Sequence, residues 1–159
     1  MKRKIQRSMV FVLTGTLILF YILLAVLLYN RNLQLLQSEV QQEARYIRTA
    51  INISGTQYLE KMDEVDLNTR VTRIDKNGAV LYDSRSAGKT EENHKERAEV
   101  KEALEKGYGE DIRMSSTVKQ ELYYYALLLD DGTVLRVAKT MDSLVYTALN
   151  VLPFMGVLM

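Results

Sequence analysis

Three arginines have the chemistry of an anion site. Arg85, Arg97 and Arg113 bracket a loop and a helix that should cover the open face of a sheet. A guanidinium holds carboxylate or phosphate through a planar fork of N–H donors. Tyr123 and Tyr125 point to one side of their strand and Tyr124 to the other, so two rings can wall such a pocket. His94, the single histidine, stands among Glu91, Glu92 and Glu96. One imidazole with flexible carboxylates falls short of the three or four fixed ligands of a tight metal centre, so His94 reads as a residue that opens a helix and positions the neighbouring loop. The candidate ligand-binding set is therefore Arg85, His94, Arg97, Arg113, Tyr123 and Tyr125. The arginines could instead only pair with Asp83, Glu91 or Glu99. Asp75, Asn77 and Gly78 lack the spacing and closing Glu of a calcium loop. With no nucleophile–base or carboxylate pair, no catalytic residue, metal or cofactor is expected.

The elements that position these residues hang from one apolar stretch. Residues 8 to 30 carry no charge, and at about 1.5 Å per residue such a helix spans roughly 34 Å, enough for a bilayer core. Lys2, Arg3, Lys4 and Arg7 precede it with no acid among them, which predicts a cytoplasmic N-terminus and an outward-facing remainder. Beyond residue 30 lie 17 of the 21 basic residues against all 20 acids, a weakly acidic part that offers nothing to nucleic acid. There is no cysteine, so disulfide and thiol chemistry are excluded. Residues 143 to 159 are again uncharged and read as a second transmembrane helix cut off before its cytoplasmic flank; a buried or interfacial helix is the other reading. The expected organisation is a basic cytoplasmic tail over 1–8, a span over 9–29, an extracytoplasmic domain over 30–142 and a truncated span over 143–159. The chain reads as the front of something longer.

Between the spans, 30 to about 62 reads as one helix leaving the membrane. Leu33, Leu36, Val40, Ile47 and Ala50 fall near a heptad seam, interrupted by Glu43 and flanked by Ala44 and Ile51. The stripe covers the domain's own sheet, pairs with a second copy, or does both on different turns. Strand patterns follow at 70–75 and 79–84, joined through Lys76-Asn77-Gly78 in a tight turn. A helix is predicted over 94–106, with Asn93 as N-cap and Glu96 completing a capping box. Strands at 110–116, 121–129 and 133–140 complete an α+β layer with an antiparallel sheet.

The stretches IDKNGAVLYDSR (74–85), ENHKERAEV (92–100), YYY (123–125) and DGTVL (131–135) resemble the extracytoplasmic PAS-like (PDC, or single Cache) sensor domain of bacterial sensor histidine kinases of the phosphate-regulon type. The flanking spans match as well, and Ala98 departs from relatives that often carry Pro there. The resemblance implies a five-stranded antiparallel sheet of order 2-1-5-4-3 with the long helix on one face. It implies a homodimer signalling through two transmembrane helices per subunit, and a missing kinase half through which alone a response regulator would be met. The implied function is the sensing region of a two-component kinase in the cell membrane, detecting a small anionic or polar ligand or another stimulus. A chemoreceptor or cyclic-dinucleotide enzyme with the same ectodomain, or a complete small bitopic assembly protein, are the alternatives.

Overall fold

The computed structural model describes residues 2–62, 69–85, 93–115 and 120–141. The predicted second span over 143–159 lies outside them. The chain divides into two compact units, whose described residues lie within 35–141 in the first and 2–34 in the second. Within the second unit, the apolar part of the first helix is long and apolar enough to cross a membrane.

Helix α1 runs Lys2–Ser54, and from Leu36 onward one stripe is buried: Leu36, Val40, Ala44, Ile47 and Ile51, at helical spacings of three and four. The stripe faces the domain's own sheet, which is the first of the two readings of the seam. The helix is shorter than the sequence predicts. It ends where Gly55 takes φ 72° and its N–H bonds the Ile51 carbonyl, and a separate short helix α2 follows at Gln57–Met62. A left-handed glycine closes the helix although apolar residues continue the periodicity beyond it.

Five strands follow, β1 (Thr69–Ile74), β2 (Val80–Asp83), β3 (Tyr108–Met114), β4 (Glu121–Leu128) and β5 (Val134–Thr140), with helix α3 (Ala98–Lys106) between β2 and β3. They form one antiparallel sheet of order β2-β1-β5-β4-β3, as the resemblance implies. Central β4 and β5 are buried along almost their whole length because α1 covers one face and α3 part of the other. Four ties hold α1 to its face. Gln41 Nε2 donates to Tyr123 Oη at 3.3 Å, Lys139 Nζ to Glu39 Oε1 at 2.6 Å, Thr69 Oγ1 to Glu43 Oε1 at 2.5 Å and Asn52 Nδ2 to Asp130 Oδ2 at 3.0 Å. On the opposite face Val100 and Ala103 of α3 pack with Ile74, Ala126 and Val134.

The β1–β2 connection is looser than a two-residue Asn-Gly turn. Asp75 bonds the Ala79 carbonyl through its N–H, its carboxylate accepts the N–H groups of Asn77 and Ala79, and Gly78 adopts positive φ, 92°. Helix α3 also starts later than predicted, at Ala98, with Arg97 as a cap residue that makes no side-chain cap bond. Asn93 is occupied elsewhere: its amide donates to the Asn77 carbonyl at 2.9 Å and its Oδ1 accepts the Lys95 N–H at 2.9 Å. An Asx turn that ties this segment to the hairpin has won over the N-cap.

Candidate functional site

On the α3 face, strand alternation and antiparallel register bring side chains from all five strands into one row. Asp83 lies opposite Thr72, Thr72 opposite Arg136, Arg136 opposite Ala126 beside Tyr124, and Tyr124 opposite Asp111 with Arg113 two residues on. Arg70 joins the row on β1: its Nε donates to Asp83 Oδ1 at 3.0 Å and its Nη2 to Oδ2. These are charged groups in a sheet interior. Asp83, Glu99 and Arg136 are all buried, and a buried charge must be paired or hydrogen-bonded.

Glu99, from the first turn of α3, stands over the centre of this row with 0 % exposure. Arg113 takes its carboxylate in a bidentate grip, Nη1 to Oε2 at 2.6 Å and Nη2 to Oε1 at 2.9 Å. Arg136 adds a third donor, Nη1 to Oε1 at 3.3 Å, and its Nη2 reaches Thr72 Oγ1 at 3.4 Å. Arg113 also donates to Asp111 Oδ2 at 2.7 Å at the sheet edge. Both guanidiniums lie over the Tyr124 ring, at 4.0 Å for Arg113 and 5.4 Å for Arg136. Gly109 allows helix and strand to come this close: a Cβ there would stand 2.3 Å from the Glu99 carbonyl oxygen.

The electrostatics follow from burial against pairing. Burial pushes the Glu99 carboxyl up, but the hydrogen bonds and charge of Arg113, with Arg136 behind it, more than offset this and hold it below the usual range. Asp83 is likewise held low, burial being outweighed by Arg70 and by the Arg85 backbone N–H. Burial lowers the pKa of Arg136, against the pull of Glu99. Burial also opposes the charged form of Arg113, but its carboxylate partners dominate and raise its pKa.

The six residues marked in the sequence are not gathered in one place. Arg113 is in the cluster, with one of the partners considered for the arginines, Glu99. Tyr123 and Tyr125 lie on the other face, toward α1. Tyr123 donates its hydroxyl to Glu110 Oε2 at 2.5 Å, and burial with that contact raises its pKa; burial also raises that of Tyr125, with Arg45 and Arg48 of α1 opposing. The ring that meets the arginines is Tyr124. His94 is buried, and its backbone N–H donates to the Gly78 carbonyl at 2.8 Å, which fastens the loop before α3 to the hairpin. Arg97 is half-buried at the start of α3, and Arg85 is exposed. Glu91 and Glu92 lie outside the described residues, and Glu96 is exposed. Arg136 was missed by sequence reasoning. Its signal was present: one charged residue in the apolar run Val134 to Ala138.

A family model described as Single Cache-like matches residues 30–135. Among solved structures, the ligand-binding domain of the Campylobacter jejuni chemoreceptor Tlp3, in complex with 4-methylisoleucine, is similar with a TM-score of 0.55 and 20 % identity over 73 % of this chain and 56 % of that one. The extracellular domain of rpHK1S-Z16, described as a histidine kinase, is similar with a TM-score of 0.46 and 16 % identity over 56 % of this chain and 38 % of that one. This chain thus spans about half the length, or less, of the solved chains it resembles. No curated protein matches the sequence.

Proposed function

Since the chain belongs to the single Cache-like family, we propose that residues 30–142 are the extracytoplasmic sensor domain of a membrane-anchored signalling protein whose cytoplasmic output is a two-component histidine kinase. The observation that supports a sensing role most directly is the polar row across the α3 face. A sheet interior populated by Arg70, Asp83, Arg136, Arg113 and Glu99 serves recognition or switching better than packing, since apolar residues of similar volume are often at least as stable. The kinase output rests on the resemblance of the 74–100 stretch. The structural likeness to a chemoreceptor domain keeps that output as the second reading, with the same sensor and a different cytoplasmic partner.

In this reading the basic residues before Met9 keep the N-terminus inside, 9–29 crosses the bilayer, and 143–159 begins the return. Two copies associate through α1, and a small anionic or polar ligand acts on the α3 face, with Arg97 and His94 holding the loop beside it. A reporter enzyme active only outside the cytoplasm, fused after Asp131, tests the reading: activity of that fusion is the expected result, and a cytoplasmic reporter signal overturns it.

A further inference from the structure

We infer that Arg113, Arg136 and Tyr124 form a carboxylate socket, and that Glu99 of α3 is its built-in occupant, whose place a small free carboxylate takes once the glutamate is out. Three N–H groups from two strands converge on one carboxylate at 2.6, 2.9 and 3.3 Å, over a single aromatic floor. The sheet supplies every one of these donors and the floor, while α3 contributes the anion from one side chain. Arg136 is the less committed partner. Its buried guanidinium carries five N–H donors, and its hydrogen bonds to Glu99 and Thr72 are 3.3 and 3.4 Å long. The socket also has a mouth: Arg113 and Asp111 are 23 % and 29 % exposed at the β3 edge, whereas Glu99 and Arg136 lie inside. An anion from solvent therefore reaches Glu99's position along Arg113.

The tether explains why the occupant stays. A side chain on a helix docked by Val100 and Ala103 presents its carboxylate at an effective concentration that a free anion in solution does not match. Removing the tether should expose the socket to carboxylates of formate or acetate size. Because Glu99 holds the first turn of α3, filling the socket from solution and undocking that turn become the same event. This extends the proposed sensing role, but its test reads binding alone, so either can fail without the other.

The experiment is chemical rescue in the full chain in lipid nanodiscs. Thermal unfolding of Glu99→Ala is followed with increasing acetate against equal chloride. The expected result is a saturable rise of several degrees with acetate only, none in the unsubstituted chain, and none in Glu99→Ala/Arg113→Ala. If Glu99→Ala does not fold, refolding it in acetate replaces the melt: recovery in acetate but not chloride supports the socket, and failure in both overturns it. Equal responses of the variant and the unsubstituted chain, equal responses to acetate and chloride, or a response that survives the loss of Arg113 also overturn it.

Discussion

Arg113 and Glu99 meet face to face across the gap between β3 and α3, two nitrogens on two oxygens at 2.6 and 2.9 Å, with Tyr124 4.0 Å beneath the guanidinium. Removing Arg113 leaves the buried Glu99 carboxylate on the longer 3.3 Å contact from Arg136, and breaking a buried pair costs about 3–5 kcal/mol. Arg113→Ala is expected to cost that much in denaturant unfolding. Arg113→Lys is expected to recover less than half, since an ammonium cannot make the fork. A Lys variant as stable as the parent would show that the pair is only a point-charge contact.

The pH profile follows from Glu99 and Asp83, whose carboxyls are held below their ordinary 4.5 and 3.8 in the folded domain. Depressed acids stabilise the fold above their unfolded values and lose that contribution as pH falls through the folded ones. Stability is therefore expected to change little in this respect from pH 7 to about 5.5, and to drop below about pH 4.5. Glu99→Gln should flatten the acid limb, and an acid limb of unchanged depth in Glu99→Gln would remove Glu99 from the account.

Gly109→Ala is expected to push the start of α3 off the sheet, because the new Cβ would stand 2.3 Å from the Glu99 carbonyl oxygen and 2.8 Å from the Glu102 Cβ. Overpacking of this kind costs about 1–3 kcal/mol. Hydrogen exchange should quicken in α3 and leave β1 and β5 protected. Uniform exchange across the sheet would mean that the helix is not separately anchored.

Self-association, if it uses α1, must use the side away from the sheet. Leu36, Val40 and Ile47 are buried, whereas Leu35, Tyr46 and Ile53 are 58, 71 and 80 % exposed, and spacings of eleven and seven put these three on one stripe. Single cysteines replacing Leu35 or Tyr46 are expected to cross-link between copies in membranes far more than one replacing Val40. Stronger cross-linking at Val40 would require the helix to leave its own sheet.

Much of this fold was legible because its signals are local. Asp75 to Ala79 and Leu129 to Thr133 each place a glycine where the chain must turn, and alternation around Tyr123 to Tyr125 separates two faces. The sequence could not say which face α1 would take, since that depends on the partner of each ring and not on spacing. Asn93 satisfied the preference for an N-cap, but its amide found Asn77, sixteen residues away, and the helix began five residues after it. The cluster was half visible: Glu99 was among the partners weighed for the arginines, while Arg136 looked like an ordinary strand residue until β1 and β4 flanked it.

The four ties between α1 and the sheet resist sliding of one past the other. Glu39, Gln41, Glu43 and Asn52 engage β5, β4, β1 and the β4–β5 turn in turn. Advancing α1 by one helical turn, about 5.4 Å, would break all four ties together. Residues 39–52 are thus tied to three strands and a turn, so a displacement of β5 is passed to α1 through Lys139 and Glu39 as well as through the buried stripe. On the other side α3 is fastened by the Glu99 carboxylate and by Val100 and Ala103 packed on Ile74, Ala126 and Val134.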